Sequence, residues 1–396
     1  MPGTGKRSAT GNPYLPCGVS MLRSLTLALL TLSLPAGAQA ASLPEQVPGL
    51  HHPVALELIT DELDTPWSLA FLPDGRMLVA EQPGTLALVD DGDVQRLDGL
   101  PQVSHRGQGG LFDLALHPQF GDGTHDWLYF SWAQPGKDGD SDDATAVSRV
   151  RFEDDALGAI TPIFVQNRFS TPGRHYGGRL LFDDQGLLWL TIGDRGVSKS
   201  RAQDPADHAG SLLRLTADGD PAPDNPGFDD DAAPEVYSIG HRNPQGLAQA
   251  ADGTLWSTEH GPRTGDELNR ILPGENYGWP EVTRGRDYAT NLPLGVDSAP
   301  GMRDPAHVFE GRFAPSGLAV VSGEEFPAWQ GDLLAGGLRG ERLLRLRLEG
   351  DSIIEREVVL DGEVGRIRDV RLGPDGAIYL LTDSDPGRLI RLTRVR

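Results

Sequence analysis

The sequence predicts an all-β protein built as a six-bladed β-propeller, and three observations carry that prediction. Six segments repeat one pattern: an apolar run, a turn rich in Asp and Gly, and a second apolar run. Asp-Gly between apolar runs is a strong hairpin signal, and the segments recur at roughly 60-residue intervals, in the range of propeller-blade repeats. No long amphipathic helix pattern lies between them, which argues against alternating strand–helix units.

In chain order the segments are 67–81, turning at Asp74-Gly75; 111–130, around His117-Pro118; and 178–192, around Asp184-Gln185-Gly186. They continue with 245–259, turning at Asp252-Gly253; 316–335; and 369–383, turning at Asp375-Gly376. A lone hairpin cannot bury both faces. Six small sheets packed radially hide those faces against one another and leave only short edges. Function then belongs on loops that converge at one mouth of the channel, and the loops after the inner strands are the candidates.

The 396 residues include 50 Gly and 31 Pro, which is turn-rich, yet the apolar patterning excludes a disordered chain. The formal net charge is -22, so nucleic acid and anionic membrane surfaces are excluded as natural partners. Residues 1–40 read as an export signal. Met21-Leu22-Arg23 opens a short basic region, 25–34 is apolar but too short to span a bilayer, and Ala38-Gln39-Ala40 has the form of a signal-peptidase site. Translation starting at Met21 and cleavage after Ala40 fit this reading. A single domain over 41–396 is expected in the periplasm or outside the cell, with no membrane span. Its charge is -25, from 32 basic and 57 acidic residues. Cys17 is the only cysteine and lies before the apolar stretch, so the mature chain has no disulfide, and nothing has the spacing of a zinc site.

His175 lies in Arg174-His175-Tyr176-Gly177-Gly178, and Asp194 in Ile192-Gly193-Asp194-Arg195-Gly196. The strand–turn–strand between them brings its two ends side by side, which places a carboxylate within reach of an imidazole. That is how a general base is oriented. Other specialised loops are Gly107-Gln108-Gly109-Gly110, 239–246, 259–267, 274–280, 337–340 and 365–370. Arg366 and Arg368 are two apart, so on a strand both point to one face. Taken alone, Gln108 is a polar turn residue, and Asp266 and Glu267 are a solvated acidic loop.

Gly240-His241-Arg242-Asn243-Pro244-Gln245-Gly246 and Asn276-Tyr277-Gly278-Trp279-Pro280 are specific motifs. Through them, and in order over roughly residues 60 to 392, the chain resembles the soluble pyrroloquinoline quinone (PQQ) dependent sugar dehydrogenases. This is the glucose/sorbosone dehydrogenase family, and the chain is most similar to its aldose sugar dehydrogenase branch. The resemblance implies oxidation of the anomeric carbon of an aldose to a lactone, with hydride transfer to PQQ and electrons passed to an external acceptor. It implies His175 as base, Asp194 as its orienting partner and Arg242 beside the quinone carbonyl. It adds Gln108, Asn243, Arg339, Arg366 and Arg368 as cofactor contacts, because arginine suits a tricarboxylate. Calcium is implied at the carbonyls of Gly261 and Pro262, and a second calcium at Glu267 and the Tyr277 carbonyl, with Asp266 beside them.

Two departures stand out. Arg339 replaces a lysine of the glucose-specific branch, and the long insertions that branch carries between Pro280 and Pro315 are missing. A shallower, open site with broad aldose use is expected, with the oligomeric state left open. Tyr176 is expected either to stack on a sugar or to pack within its loop. Other readings on the same fold are a calcium-dependent sugar lactonase and an exported propeller that binds a glycan or protein partner.

Overall fold

A computed structural model describes residues 43–137 and 141–396. The expected export segment, with Cys17, lies outside the described residues. Strands fall into six antiparallel sheets, the blades. Blade 1 comprises Pro66–Phe71, Met77–Glu81, Thr85–Asp90 and Asp93–Leu97. Blade 2 is built on Leu111–Leu116, Trp127–Pro135 and Asp143–Glu153. Blade 3 comprises Leu180–Phe182, Leu188–Ile192, Ser211–Leu215 and Val236–Ser238; blade 4 comprises Pro244–Gln249, Leu255–Glu259, Glu267–Ile271 and His307–Val308. Blade 5 comprises Pro315–Val320, Leu333–Gly337, Arg342–Glu349 and Ser352–Asp361. Blade 6 runs Ile367–Leu372, Ile378–Thr382 and Gly387–Arg394, and its fourth strand is Val54–Leu63 from the other end of the chain. Val54 pairs with Arg394, so the first and last long strands close the ring in one sheet.

The six sequence repeats are the two innermost strands of the six blades. Their turns share one device. Asp74, Asp183, Asp252 and Asp375 each accept a hydrogen bond from a backbone amide two residues on, at 3.0–3.1 Å. These Asx turns fix the reversal without help from the rest of the protein. Gly75 shows why glycine follows: its φ is +94°, and a Cβ there meets nothing within 4 Å, so the backbone angle alone requires it.

The second strand of most blades is buried on both faces, as in Met77–Glu81, Leu188–Ile192 and Ile378–Thr382. Each is sandwiched between neighbouring blades, so its sequence is nearly continuous in apolar residues rather than alternating. The apolar core is correspondingly divided. Separate clusters fill the wedges between adjacent blades, such as Leu78, Leu86, Leu114 and Phe130 between blades 1 and 2. Another joins blades 5 and 6 through Phe326, Leu334, Ile367 and Leu380.

The axis is polar instead. Buried Arg179 reaches Asp369 at 2.8 Å, and Arg371 pairs with both Asp369 and Asp113. Arg179 also donates to the carbonyls of Gln245 and Arg368, tying the inner strands of blades 3, 4 and 6 together. Removing one partner of such a buried pair strands a charge and costs about 3–5 kcal/mol.

Candidate active site

In an antiparallel blade the loop into strand one and the loop out of strand two share an end, and the Asp-Gly turn lies at the opposite end. The site is built at the first of these ends. A cavity of about 520 Å³ is lined by Gln108, Asn243, His260, Arg366, Arg368 and Asp383, with Trp67, Tyr176 and Gln245 among its other walls. Loops that leave the second inner strands line it through Gln82, His260, Leu338 and Asp383, as expected, and the loops that enter the first strands join them through Gln108 and Tyr176.

His175 precedes blade 3 and adopts a positive φ of 53°, a left-handed conformation that costs about 1–3 kcal/mol outside glycine. Three contacts impose it. The His175 amide donates to Gln108 Oε1 at 2.7 Å. Arg195 donates to the Arg174 carbonyl at 2.7 Å and stacks on the Tyr176 ring at 3.5 Å. The His175 carbonyl presses on Gly193, where an added Cβ would lie 2.3 Å from that oxygen. Tyr176 is thereby packed in its loop between Arg195 and Phe112.

The hairpin of blade 3 brings Asp194 Oδ1 to 2.6 Å from His175 Nδ1. Asp194 is itself held: Oδ1 accepts from the Gly196 amide and Oδ2 from Trp279 Nε1, both at 2.8 Å. Burial and the positive field of Arg242 lower the pKa of His175, against the pull of Asp194. Burial alone would raise the Asp194 carboxyl, yet its bond to His175 and nearby charge bring it below the usual range. At neutral pH the pair is therefore a neutral imidazole, with Nδ1–H donating to a carboxylate and Nε2 left basic. The imidazole is not itself among the cavity walls, although Gln108, Tyr176 and Asn243 beside it are.

Arg242 lies in a small adjoining cavity with Glu259, His260, Glu267, Tyr277 and Trp279. Its Nη1 donates to the His260 carbonyl at 3.0 Å, whereas its buried Nε has no partner among the described residues. The Asn243 side chain accepts from the Gly177 amide at 3.2 Å. Arg366 and Arg368 do share a face, and both grip Asp383. Arg339 is exposed and forms no ion pair among the described residues, although its neighbour Leu338 lines the cavity.

The residues read as metal ligands differ in what they have free. The Gly261 carbonyl accepts no bond from the described backbone, but that of Pro262 accepts from the amides of Thr264 at 2.6 Å and Arg286 at 3.0 Å. Asp266 staples its loop, with Oδ1 on the Gly261 amide and Oδ2 on the amides of Phe313 and Ala314. Buried Glu267 faces Glu259, and both carboxylates share the amide of Asn269. Burial and the Glu259 charge push the Glu267 carboxyl well above the usual range. The Tyr277 carbonyl close by accepts no backbone bond.

Sequence reasoning passed over Asp383, Gln245, Trp67 and the side-chain role of Trp279. It also passed over His260, whose Nε2 donates to the Pro315 carbonyl at 2.6 Å. Burial and Arg242 push that imidazole down to about 3, so it stays neutral. His260 and Trp279 stood inside motifs already singled out, which was a signal available to use. Asp383, one residue past a repeat's last strand, carried none.

The glucose/sorbosone dehydrogenase family pattern matches residues 63–391. The chain belongs to this family and is an oxidoreductase. It is 38% identical over 350 residues to the aldose sugar dehydrogenase YliI of Escherichia coli, covering 86% of this chain and 93% of that one. The apo-form crystal structure of the soluble aldose sugar dehydrogenase from Escherichia coli superposes with a TM-score of 0.81 at 36% identity, covering 86% and 100%. The PQQ-bound aldose sugar dehydrogenase of Streptomyces coelicolor gives 0.71 at 30% identity, covering 89% and 99%. No helix among the described residues is long and apolar enough to cross a membrane.

Proposed function

We propose that this protein is a PQQ-dependent aldose sugar dehydrogenase, oxidising the anomeric carbon of aldoses to lactones and passing electrons to an external acceptor. The observation that carries the reading is one arrangement: two guanidiniums line a 520 Å³ cavity beside a neutral His175 imidazole held by the Asp194 carboxylate. PQQ carries three carboxylates and an ortho-dione, and the cavity has the volume of a cofactor site. A chain of net charge -22 has no general reason to line one cavity with Arg366 and Arg368 and to set the unpartnered Nε of Arg242 in the small cavity beside it. The residues fit the group.

When bound, PQQ supplies the two-electron acceptor. Arg366 and Arg368 hold its carboxylates, with Arg339 at the rim, and Gln108 and Asn243 contribute neutral hydrogen bonds. Arg242 contributes fixed positive charge where negative charge develops. His175 Nε2 takes the proton of the anomeric hydroxyl, and Asp194 keeps the tautomer and stabilises the imidazolium. A calcium ion at the Gly261 and Pro262 carbonyls belongs to the same reading. A second fits better, because Glu267 and Glu259 are two carboxylates facing each other near a free Tyr277 carbonyl. Asp266, spent on three amides, contributes by shaping that loop. Export by residues 1–40 places the enzyme in the periplasm or outside the cell.

Purified protein mixed with PQQ and calcium tests this. The expected result is a bound chromophore and dye reduction with several aldoses. Sugar-lactone hydrolysis without quinone would replace the proposal with a lactonase, and no quinone binding would leave a partner-binding propeller.

A further inference from the structure

We infer that Asp383 is the positioning residue of the anion-binding wall. Its single carboxylate orients Arg366 and Arg368 so that each keeps one end free for an anionic ligand. The inference rests on the cavity being a PQQ site. Asp383 Oδ2 accepts from Arg366 Nε and Nη2 at 2.7 and 2.5 Å, and Oδ1 from Arg368 Nε and Nη2 at 2.9 and 2.5 Å. The same edge of each guanidinium is consumed. The Nη1 ends remain, held only weakly: 3.4 Å from the Leu338 carbonyl and 3.5 Å from Gln245 Oε1. Leu338 and Gln245 both line the cavity, as do both arginines and Asp383. A carboxylate is a stronger acceptor than either, and charge-assisted bonds are the shorter ones.

The backbone under this cluster is fixed independently. The Asp383 amide donates to the Arg366 carbonyl at 2.8 Å, and Arg179 holds the Arg368 carbonyl from the axis at 3.1 Å. Arg179 is pinned in turn, stacked on Trp67 at 4.2 Å. What Asp383 adds is therefore side-chain direction.

Two physical accounts of Asp383 predict opposite signs. If it is only a counter-charge, removing it makes the cavity more positive and tightens binding of a trianion. If it positions, removing it frees two like-charged, rotamer-rich side chains, and binding weakens although the charge has improved. We expect the second.

The experiment titrates PQQ, with calcium present, into purified wild type, D383N and D383E, and follows tryptophan fluorescence. D383N should weaken binding by at least about tenfold. D383E, which keeps the charge, should recover part of that loss. D383N binding as tightly as wild type, or more tightly, overturns the inference while leaving the proposed function standing. Wild type that binds no PQQ overturns both. If D383N loses its folded circular dichroism signature, R366K carries the test. Arg366 is 43% exposed, and lysine keeps the charge but cannot fork. Unchanged affinity in R366K overturns the inference, and a loss of at least about fivefold supports it.

Discussion

Asp194 and Asp383 hold matching places three blades apart, each just past the second strand of its blade. Both are largely buried carboxylates whose pKa lies below the usual range. They differ in what they face. Asp194 holds one imidazole, whose charge follows pH. Asp383 holds two guanidiniums, those of Arg366 and Arg368. Neighbouring loop positions, two residues past the strand for Asp194 and one for Asp383, thus hold an imidazole on one side of the ring and a pair of guanidiniums on the other. The difference comes from the partner loop, not the blade.

The sharpest way to break the comparison is to remove the imidazole. His175→Ala should lower kcat by about 10²–10⁴-fold with PQQ affinity nearly unchanged, measured by dye reduction and quinone titration. Unchanged turnover would place the base elsewhere. Asp194→Asn comes next, because it keeps the shape but no longer fixes the Nδ1–H tautomer. A fall of at least about tenfold in kcat is expected, with the residual activity shifted in pH.

On the other side, Arg368→Ala should raise the PQQ Kd by about ten- to hundredfold and Arg366→Ala by less, because Arg368 is 12% and Arg366 43% exposed. Equal wild-type affinity in both would make them surface arginines.

Acid pH separates the two carboxylates by partner. The His175 pKa lies below its ordinary value near 6.5, so the reactive neutral form persists as pH falls through 6.5. The acid limb of kcat/KM should therefore lie below that pH, while PQQ affinity stays flat across it. A limb at or above 6.5 would contradict the burial argument. The smallest effect expected concerns calcium. Glu267→Gln relieves the repulsion with Glu259, so the variant should fold without added metal. Calcium is expected to raise the wild-type Tm by a few degrees and to leave the variant's Tm unchanged; equal rises in both would contradict the assignment.

The blades were legible because each repeat's Asp-Gly turn is a local device, satisfied by amides two residues away. Ring closure was not, because Val54–Leu63 carries no turn of its own and finds Gly387–Arg394 only when the circle is complete. His175 and Asp194 could be paired because one hairpin joins them. Asp383, 15 residues from Arg368, could not be assigned to it, since a charged residue after a strand ordinarily points to water. The axial Arg179, Asp113 and Asp369 escaped for the same reason: charges read as surface are stabilised at the centre only by one another.

The sequence by itself determined the six hairpins, the polar character of their turns, the family motifs and the residue types on which the proposed quinone and sugar site rests. These are local patterns of dihedral preference and hydrophobic period. Tertiary structure alone decided which end of the blades holds the site, which carboxylate meets which cation, and which carbonyls stay free. Those outcomes depend on strand direction and on burial, which bring together groups far apart in the chain and set the cost of leaving any of them unpaired.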